Sequence, residues 1–281
     1  MNGLETFNAL TESPAVMRAD FLTQPASVPP VEIAAGRYVV RFARTRGEVI
    51  DALRLRFEVF NLELGEGLAS SFVTGRDEDE FDAVCHHLIV LDTSEDRVVG
   101  TYRCQTGEMA AARGFYSAEE FDLSQLPADV RLDSVELGRA CVARSHRNTQ
   151  VLLLLWKGLA AYAAYNRKRY LFGCCSLTSQ AERDGLRAFA SLKRDGHLHP
   201  QLVVLPRPGF ECRAGEASGD ATAAVNLPKL LKMYLRLGAR VCGPPAIDRL
   251  FKTIDFLVLF DSEAMDERWR ATLFGDGGGE R

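Results

Sequence analysis

The segment from residue 133 to residue 176 most constrains how this chain can fold. It begins with DSVELGRACVA, which has the apolar content of a buried strand, and continues through the basic turn RSHRNT into QVLLLLWKGLAAYAAY. Asn148 is placed to cap a helix over that leucine-rich stretch, and YLFGCCS then predicts a second strand. The apolar run VLLLLW stops at Lys157, well short of the roughly 20 residues that span a bilayer. This order of strand, turn, helix and strand predicts an α+β sheet with helices packed on it.

The flanking segments extend the same pattern. GRYVVRFART, residues 36–45, alternates like an edge strand, and the next stretch carries Val49, Leu53 and Phe60 at helical spacing before it ends at Gly65. HHLIVLDTSEDRVVGTYRCQT predicts a hairpin, and TSQAERDGLRAFASLKRDG predicts a polar helix.

The domain organisation follows from this order of elements. We predict a single α+β domain, an α/β/α sandwich with a C-terminal extension, over residues 36–275. The Ser, Thr and Pro content of residues 1–35 predicts a mobile arm, and GDGGGER predicts a disordered tail over residues 276–281.

Composition narrows the possible functions. The 281 residues are 47% hydrophobic and 26% charged, which is ordinary for a soluble globular protein. A net charge of -4 argues against a general nucleic-acid binder. The odd number of cysteines, seven, with no CxxC pair, indicates a reducing, cytoplasmic compartment. The N-terminal stretch has neither a basic leader nor an apolar core, so we do not expect a signal peptide.

The order strand, basic turn, helix and strand resembles the centre of the GNAT acyltransferase fold. In that fold two neighbouring parallel strands splay apart, and the pantetheine of a thioester donor enters the gap. The matching strands here are VELGRACVA and YLFGCCS, and the small residues from Gly173 onward would let a ligand approach the backbone. The resemblance implies that the acyl donor contacts Cys141, Val142, Ala143, Arg144, Arg147, Asn148, Thr149, Cys174 and Ser176.

The turn RSHRNT departs from the phosphate-binding turn of that fold, which has the form Q/R-x-x-G-x-G/A. Arg144 matches its first position, whereas Arg147 and Thr149 stand where glycines are expected. The departure fits a donor that presents one phosphodiester, as acyl carrier protein does, with Arg144 and Arg147 as its partners. We therefore expect the 4'-phosphopantetheine thioester of acyl carrier protein as donor, and no permanently bound cofactor.

A closer resemblance covers residues 37–262. The segments LRFEVFNLELG, DEFD, VVGTYR, VELGRACV and LPKLLKMYLRLGARVCGPPAIDRLFKTIDFLVLFD are similar to the ornithine-lipid branch of GNAT acyltransferases, often labelled hemolysins. They are more distantly similar to acyl-homoserine-lactone synthases. Both groups move a long acyl chain from acyl carrier protein to the α-amine of an amino acid or its derivative. The tryptophan usual in the first synthase motif is absent, which argues against lactone synthesis from S-adenosylmethionine.

This resemblance implies a set of site residues, all charged except one phenylalanine. The acceptor-binding positions are Arg56, Phe60, Asp79, Asp82 and Arg103, and the catalytic positions are Glu136 and Arg139. Amide formation requires a neutral amine, yet an α-amine is largely protonated at neutral pH. Glu136 is the candidate carboxylate that attracts the ammonium group and accepts its proton, directly or through water. Backbone N–H groups near Cys141 and Val142 could stabilise the oxyanion.

The charges also have a structural interpretation. Strand alternation places Glu136 and Arg139 on opposite faces, and a bulge at Gly138 would bring both toward the site. The alternative is an ion-pair network that joins them to Arg56, Arg103 and the acidic loop GRDEDEFD. That loop is either solvated or folded over the site, with Asp79 and Asp82 pairing with those arginines; we favour the folded form.

The sequence thus predicts a cytoplasmic N-acyltransferase that makes a lyso-ornithine lipid from a long acyl chain, with or without a 3-hydroxyl group. Ornithine follows from the resemblance alone, and glycine, glutamine and lysine stay open. The alternatives are another N-acyl amino acid or signal synthase, or a non-catalytic acyl- or membrane-binding protein. The basic amphipathic stretch LPKLLKMYLRLG could lie on anionic lipid, although burial of its apolar side is favoured. Peripheral membrane contact is plausible, and we expect neither a metal nor nucleic acid.

Overall fold

The computed structural model describes residues 24–213 and 226–274. Most of the arm predicted over residues 1–35, and the tail predicted over residues 276–281, lie outside these ranges. Within the described part of the arm, residues 33–35 pair with the next strand, Ile33 opposite Val40.

One mixed sheet organises the described residues. Its strands are β1 (Ile33–Ala35), β2 (Tyr38–Phe42), β3 (His86–Asp92), β4 (Arg97–Thr106), β5 (Ser134–Val142), β6 (Tyr170–Leu177), β7 (Arg240–Val241), β8 (Ala246–Asp248) and β9 (Thr253–Asp261). The order is β1-β2-β3-β4-β5-β6-β9-β7, with β8 also paired to β9. Only β5 and β6 run parallel; the other described pairs are antiparallel. The prediction that residues 36–45 form an edge strand is wrong, because β1 covers the outer side of β2.

Helices pack on this sheet. They are α1 (Arg46–Phe57), α2 (Ser71–Thr74), α3 (Ala128–Leu132), α4 (Thr149–Tyr165), α5 (Glu182–Arg194), α6 (Lys229–Leu237) and α7 (Glu267–Phe274). α1 begins with a capping box between Thr45 and Glu48 and continues as a π-helical turn, Glu58–Glu63. Asn148 caps α4, its Oδ1 accepting from the Val151 N–H at 2.9 Å, as predicted. Among the described residues, no helix has both the length and the apolar content to cross a bilayer.

The parallel pair separates soon after it begins. β5 and β6 are in register only from Ser134 opposite Tyr170 to Glu136 opposite Phe172. Beyond that point β5 stays paired with β4, and β6 stays paired with β9. A β-carbon at Gly173 would lie 2.1 Å from the carbonyl oxygen of Leu137, so only glycine fits where the strands part. The splay expected from the resemblance is present.

A bulge in β5 lies beside this splay. Arg103 pairs with Gly138 and Thr101 with Cys141, so β5 carries one residue more than β4 over this stretch. The residue in the left-handed region is Arg139, with φ 52°, and not the predicted Gly138. A non-glycine residue there costs of order 1–3 kcal/mol and persists when its surroundings fix it. The contacts of Arg139 described below do so.

Candidate active site

A cavity of about 740 Å³ lies at the splay between β5 and β6. Helices α4, α6 and α7 contribute an apolar wall: Leu152, Leu155, Trp156, Leu159, Leu230, Leu231, Met233, Leu237, Leu273 and Phe274. Strands β4, β5, β8 and β9 and the loops beside them contribute a polar wall: Glu66, Arg103, Gln105, Ser117, Glu136, Arg139, Asp248 and Asp255. The apolar side of α6 is therefore turned into the domain, as favoured from the sequence. An apolar wall joined to a charged one suits a ligand with a long chain and a polar reacting end.

Most of the predicted donor-binding residues line this cavity. Those that do are Cys141, Val142, Arg147, Asn148, Thr149, Cys174 and Ser176. Ala143 and Arg144 instead line a smaller pocket of about 370 Å³, beside Glu63 and Arg97. The turn after β5 thus lies between the two pockets.

The Arg147 guanidinium is paired with an acid of the π-helical turn. Its Nη1 and Nη2 donate to the two carboxylate oxygens of Glu63 at 2.6 and 2.7 Å, and its Nε donates to the Val142 carbonyl at 3.1 Å. The side chain of Arg147 is 41% exposed. The hydrogen bond from Arg147 lowers the pKa of Glu63.

The acidic loop is folded inward and closes a buried ion-pair network. Its members are Arg56, Arg103, Arg139, Asp77, Asp79 and Asp82. Arg56 bridges Asp77 at 2.7 Å and Asp82 at 2.6 Å, and Arg103 bridges Asp79 and Asp82 at 2.5 and 3.1 Å. The predicted pairing of Asp79 and Asp82 with Arg56 and Arg103 is present. The sequence reasoning missed Asp77, although it stands in the same loop.

Only part of the ion-pair network reaches the wall of the cavity. Arg103, Arg139 and the predicted acceptor residue Phe60 line it, whereas Arg56, Asp79 and Asp82 do not. Arg56 is only 1% exposed. Burial raises the pKa of Asp82, but the guanidinium groups of Arg56 and Arg103 outweigh it and hold that pKa well below its usual range. We infer that these charges stabilise the loop; their contact with a substrate stays a prediction.

Arg139 is fixed on every side. Its Nε donates to Asp77 at 3.2 Å and its Nη2 to Asp79 at 3.0 Å. Its guanidinium carbon lies 4.7 Å from the ring centre of Tyr116 and 4.4 Å from that of Phe251. These contacts account for the left-handed backbone at the bulge. These contacts support the structural alternative for Arg139, and its predicted catalytic role stays a prediction.

Glu136 has different partners. Its Oε2 accepts from the Tyr116 N–H at 2.8 Å, and its Oε1 accepts from the Ser117 N–H at 2.7 Å and the Ser117 hydroxyl at 2.5 Å. The carboxylate is 5% exposed and lines the cavity. Burial raises its pKa, and the hydrogen bonds from Ser117 and Tyr116 only partly offset this. Within the described ranges no salt bridge joins Glu136 to an arginine, so the ion-pair alternative does not describe it.

A second acidic cluster borders the cavity. Carboxylate oxygens of Glu120, Asp248 and Asp255 lie within 4.8 Å of one another, and all three residues are buried. Asp248 and Asp255 line the cavity. Sequence reasoning missed this cluster because Glu120 lies far from the other two in the chain, and because the C-terminal segment that contains Asp248 and Asp255 was given no site residues. Such a group could also hold a metal ion, so the expectation of no metal stays a prediction.

Comparisons with known proteins agree with this architecture. Residues 55–157 match the family model described as an acetyltransferase (GNAT) domain. The L-ornithine N(alpha)-acyltransferase of Brucella abortus is 33% identical over 246 residues, 83% of this chain and 88% of that protein. That of Rhodobacter capsulatus is 35% identical over 244 residues, 83% of this chain and 93% of that protein.

A solved structure shares the fold. The N-acyl amino acid synthase from uncultured soil microbes superposes with a TM-score of 0.51 at 12% identity, covering 82% of this chain and 95% of that one. The predicted GNAT fold, a mixed sheet with splayed central parallel strands, is confirmed.

Proposed function

The chain belongs to the L-ornithine N(alpha)-acyltransferase family, and from this membership we propose that it acylates the α-amine of ornithine with a long acyl chain carried by acyl carrier protein. The product is a lyso-ornithine lipid. The observation that carries the proposal is the cavity at the splay, where an apolar wall meets a charged one.

The apolar wall is the proposed site of the acyl chain. Burial of each methylene group contributes about 0.8 kcal/mol, so a long chain gains enough from this wall to be selected over a short one. Trp156 and Leu159 of α4 face the same cavity as Leu231 of α6. The acyl chain would therefore lie between these helices and the sheet.

The splay is the proposed site of the phosphopantetheine arm. Small residues of β6, Gly173 and Cys174 among them, let the arm approach the backbone. Arg147 at the rim is the proposed phosphate partner, and Arg144 in the neighbouring pocket is the second. Without the glycines of a diphosphate-binding turn, one phosphodiester is the better match. This supports acyl carrier protein over coenzyme A.

Glu136 is the proposed proton acceptor. The ornithine ammonium would pass a proton to the carboxylate, directly or through water, and the freed nitrogen lone pair would attack the thioester carbonyl carbon. The carbon–sulfur bond then breaks, the amide forms, and the thiolate takes up a proton. Burial raises the pKa of Glu136 above its usual value, which makes it a stronger base than an exposed carboxylate.

The proposal is tested with purified protein, isotope-labelled ornithine and a 3-hydroxyacyl thioester of acyl carrier protein. We expect mass spectrometry to detect labelled acyl-ornithine, formed far faster than from the matching coenzyme A thioester. Comparable turnover of both donors would contradict the choice of donor. Acyl chains that bind without any amide product would support the non-catalytic alternative.

We also propose a cytoplasmic location with peripheral membrane contact. All seven cysteines are free thiols, which suits a reducing compartment. Leu62, Phe72 and Val73 have exposed apolar side chains, and Leu64, also exposed, lines the cavity. We propose that these side chains contact lipid and let an amphiphilic product pass into the membrane. Phe72→Asp and Val73→Asp should reduce sedimentation with anionic liposomes, whereas Val203→Asp, at a side chain as exposed as Phe72, should not.

A further inference from the structure

We propose that the acidic cluster of Glu120, Asp248 and Asp255 binds the side-chain ammonium of the acceptor and thereby selects a diamino acid. This inference rests on the proposed function, and it assigns the enzyme's specificity for ornithine to these three carboxylates. Two of the three carboxylates line the cavity that takes the acceptor.

The cluster lacks the counter-charges that neutralise the other buried acids. Asp77, Asp79 and Asp82 are each bridged by arginine. In the part of the chain that the structure describes, no lysine, arginine or histidine lies within 4.0 Å of the carboxylates of Glu120, Asp248 or Asp255. Glu120 and Asp255 are each 3% exposed. Buried carboxylates without a cation are costly, and a bound ammonium group would supply the missing charge.

Individual oxygens of the cluster are also without partners. Asp255 Oδ2 accepts from the Thr253 hydroxyl at 2.9 Å, whereas Asp255 Oδ1 has no hydrogen-bond partner. Glu120 Oε2 has none either. Asp248 Oδ1 accepts from the N–H groups of Leu250 and Phe251 at 2.7 and 2.8 Å, which fixes its orientation. An ammonium group has three donors and no acceptor, which matches a pocket of free acceptors.

The cluster lies beside the proposed reaction centre. The Cys174 thiol is 3.5 Å from the Ser117 hydroxyl, and that hydroxyl donates to Glu136. Burial and the negative charges of Glu120 and Asp255 raise the pKa of the same thiol. Cys174 thus stands between Glu136 and the cluster. One diamino acid could place its α-amine at Glu136 and its second ammonium at the cluster.

The pKa directions agree with this geometry. Burial and the neighbouring carboxylates of Asp255 and Asp248 raise the pKa of Glu120 well above its usual value. Burial likewise raises the pKa of Asp255, and hydrogen bonds from Ser176, Thr253 and Glu120 offset part of the rise. A cation bound among these groups would reverse the effect and keep them ionised.

The test compares ornithine with norvaline, which has the same carbon chain without the second amine. With one acyl carrier protein thioester as donor, we expect wild type to prefer ornithine strongly. Asp255→Asn should lower kcat/KM for ornithine by roughly 10²-fold, the usual range for loss of one partner of a buried charged pair. Its kcat/KM for norvaline should change little. Asp51→Asn, the same change at an exposed carboxylate of α1, should alter neither.

The outcomes separate this inference from the proposed function. If wild type forms no acyl-ornithine, the proposed function fails. If wild type is active and both Asp255→Asn and Glu120→Gln keep the full preference for ornithine, the inference is overturned. Loss of that preference on treatment of wild type with a chelator would also overturn it, because the cluster would then hold a metal. Unchanged or higher Tm values of the variants show that they fold.

Discussion

Among single residues, Glu136 has the most specific environment in the cavity. It is buried and oriented by hydrogen bonds from Tyr116 and Ser117, without a salt bridge to an arginine in the described ranges. A carboxylate held this way keeps lone pairs free for one further proton donor. Its chemistry therefore depends on burial and on the turn at residues 116–117, which sequence reasoning did not identify.

Glu136→Gln should lower kcat by roughly 10²–10⁴, the usual contribution of a positioned base. The loss should shrink at high pH, where more of the free acceptor is already deprotonated. Rate measurements across pH at saturating donor check this. An unchanged rate with a lower Tm would instead assign Glu136 a structural role.

Ser117→Ala tests independently whether Glu136 is the base. The Ser117 hydroxyl lowers the pKa of Glu136 by stabilising its charged form. Its removal should therefore move the lower limb of the pH profile of kcat/KM to higher pH while the high-pH plateau is kept. A profile that does not move would show that Glu136 is not the titrating base.

The Arg147–Glu63 pair gives a third prediction at this scale. Arg147→Glu should raise the KM for carrier-bound donor, and more at low salt, because exposed charges are screened by salt. Glu63→Gln should lower that KM, because it releases the guanidinium for a phosphate. Steady-state kinetics at two ionic strengths measure both, with Arg46→Glu on α1 as the matched charge reversal. Equal effects of the two arginine reversals would show that the response reflects net charge alone.

At the scale of elements, the acidic loop, helix α1 and strands β4 and β5 depend on one another through the ion-pair network. Asp82→Asn should lower the free energy of unfolding by about 3–5 kcal/mol, because Arg56 and Arg103 would be left buried and partly unpaired. Urea denaturation measures this, with the exposed Asp51→Asn as control. A loss below about 1 kcal/mol would contradict a stabilising role for the loop.

The regular elements could be predicted from the sequence and the short ones could not. The β3–β4 hairpin, β5, α4 and β6 have strong apolar periodicity and clear turn signals, so each was found. β1 was missed because Ile33–Ala35 has only three residues and follows a proline-rich stretch. The bulge was predicted one residue early, since the ion pairs and rings that hold Arg139 come from distant segments.

At the scale of the whole molecule, the cavity joins side chains that local patterns cannot connect. The resemblance led to Glu136 and to Arg147 because they stand in motifs. Glu120 belongs to no quoted motif, and Asp248 and Asp255 stand in the C-terminal segment without an assigned role. The pairing of β8 with β9 and the packing around the splay bring the three together. Sequence reasoning therefore reached the residues of the proposed reaction centre but not those of the proposed acceptor pocket.

The stability of the whole domain should depend on pH through His87. Burial lowers its pKa to about 4 from 6.5, and its Nε2 lies 3.0 Å from the Asp82 carbonyl oxygen. The unfolded chain binds a proton at His87 more readily than the folded chain does. The stability that the neutral, buried His87 contributes is therefore complete above pH 6.5 and is lost as the pH falls toward 4. Between pH 6.5 and pH 4 the free energy of unfolding should therefore fall further in wild type than in His87→Gln, by up to about 3 kcal/mol. The measurement is the free energy of unfolding of both proteins by urea at several pH values in this range. An equal fall in the two proteins would contradict the prediction.

The splayed strands have a kinetic consequence. β5 is held along its outer edge by β4, and β6 by β9 across eight register positions from Tyr170 to Leu177. Neither strand can close the gap without breaking that outer pairing, so the channel is preorganised and no strand separation precedes donor binding. Association should then follow single-step kinetics, with a rate proportional to carrier concentration and no plateau from a conformational step. Saturation of turnover would reflect the chemical step or release of the lipid product.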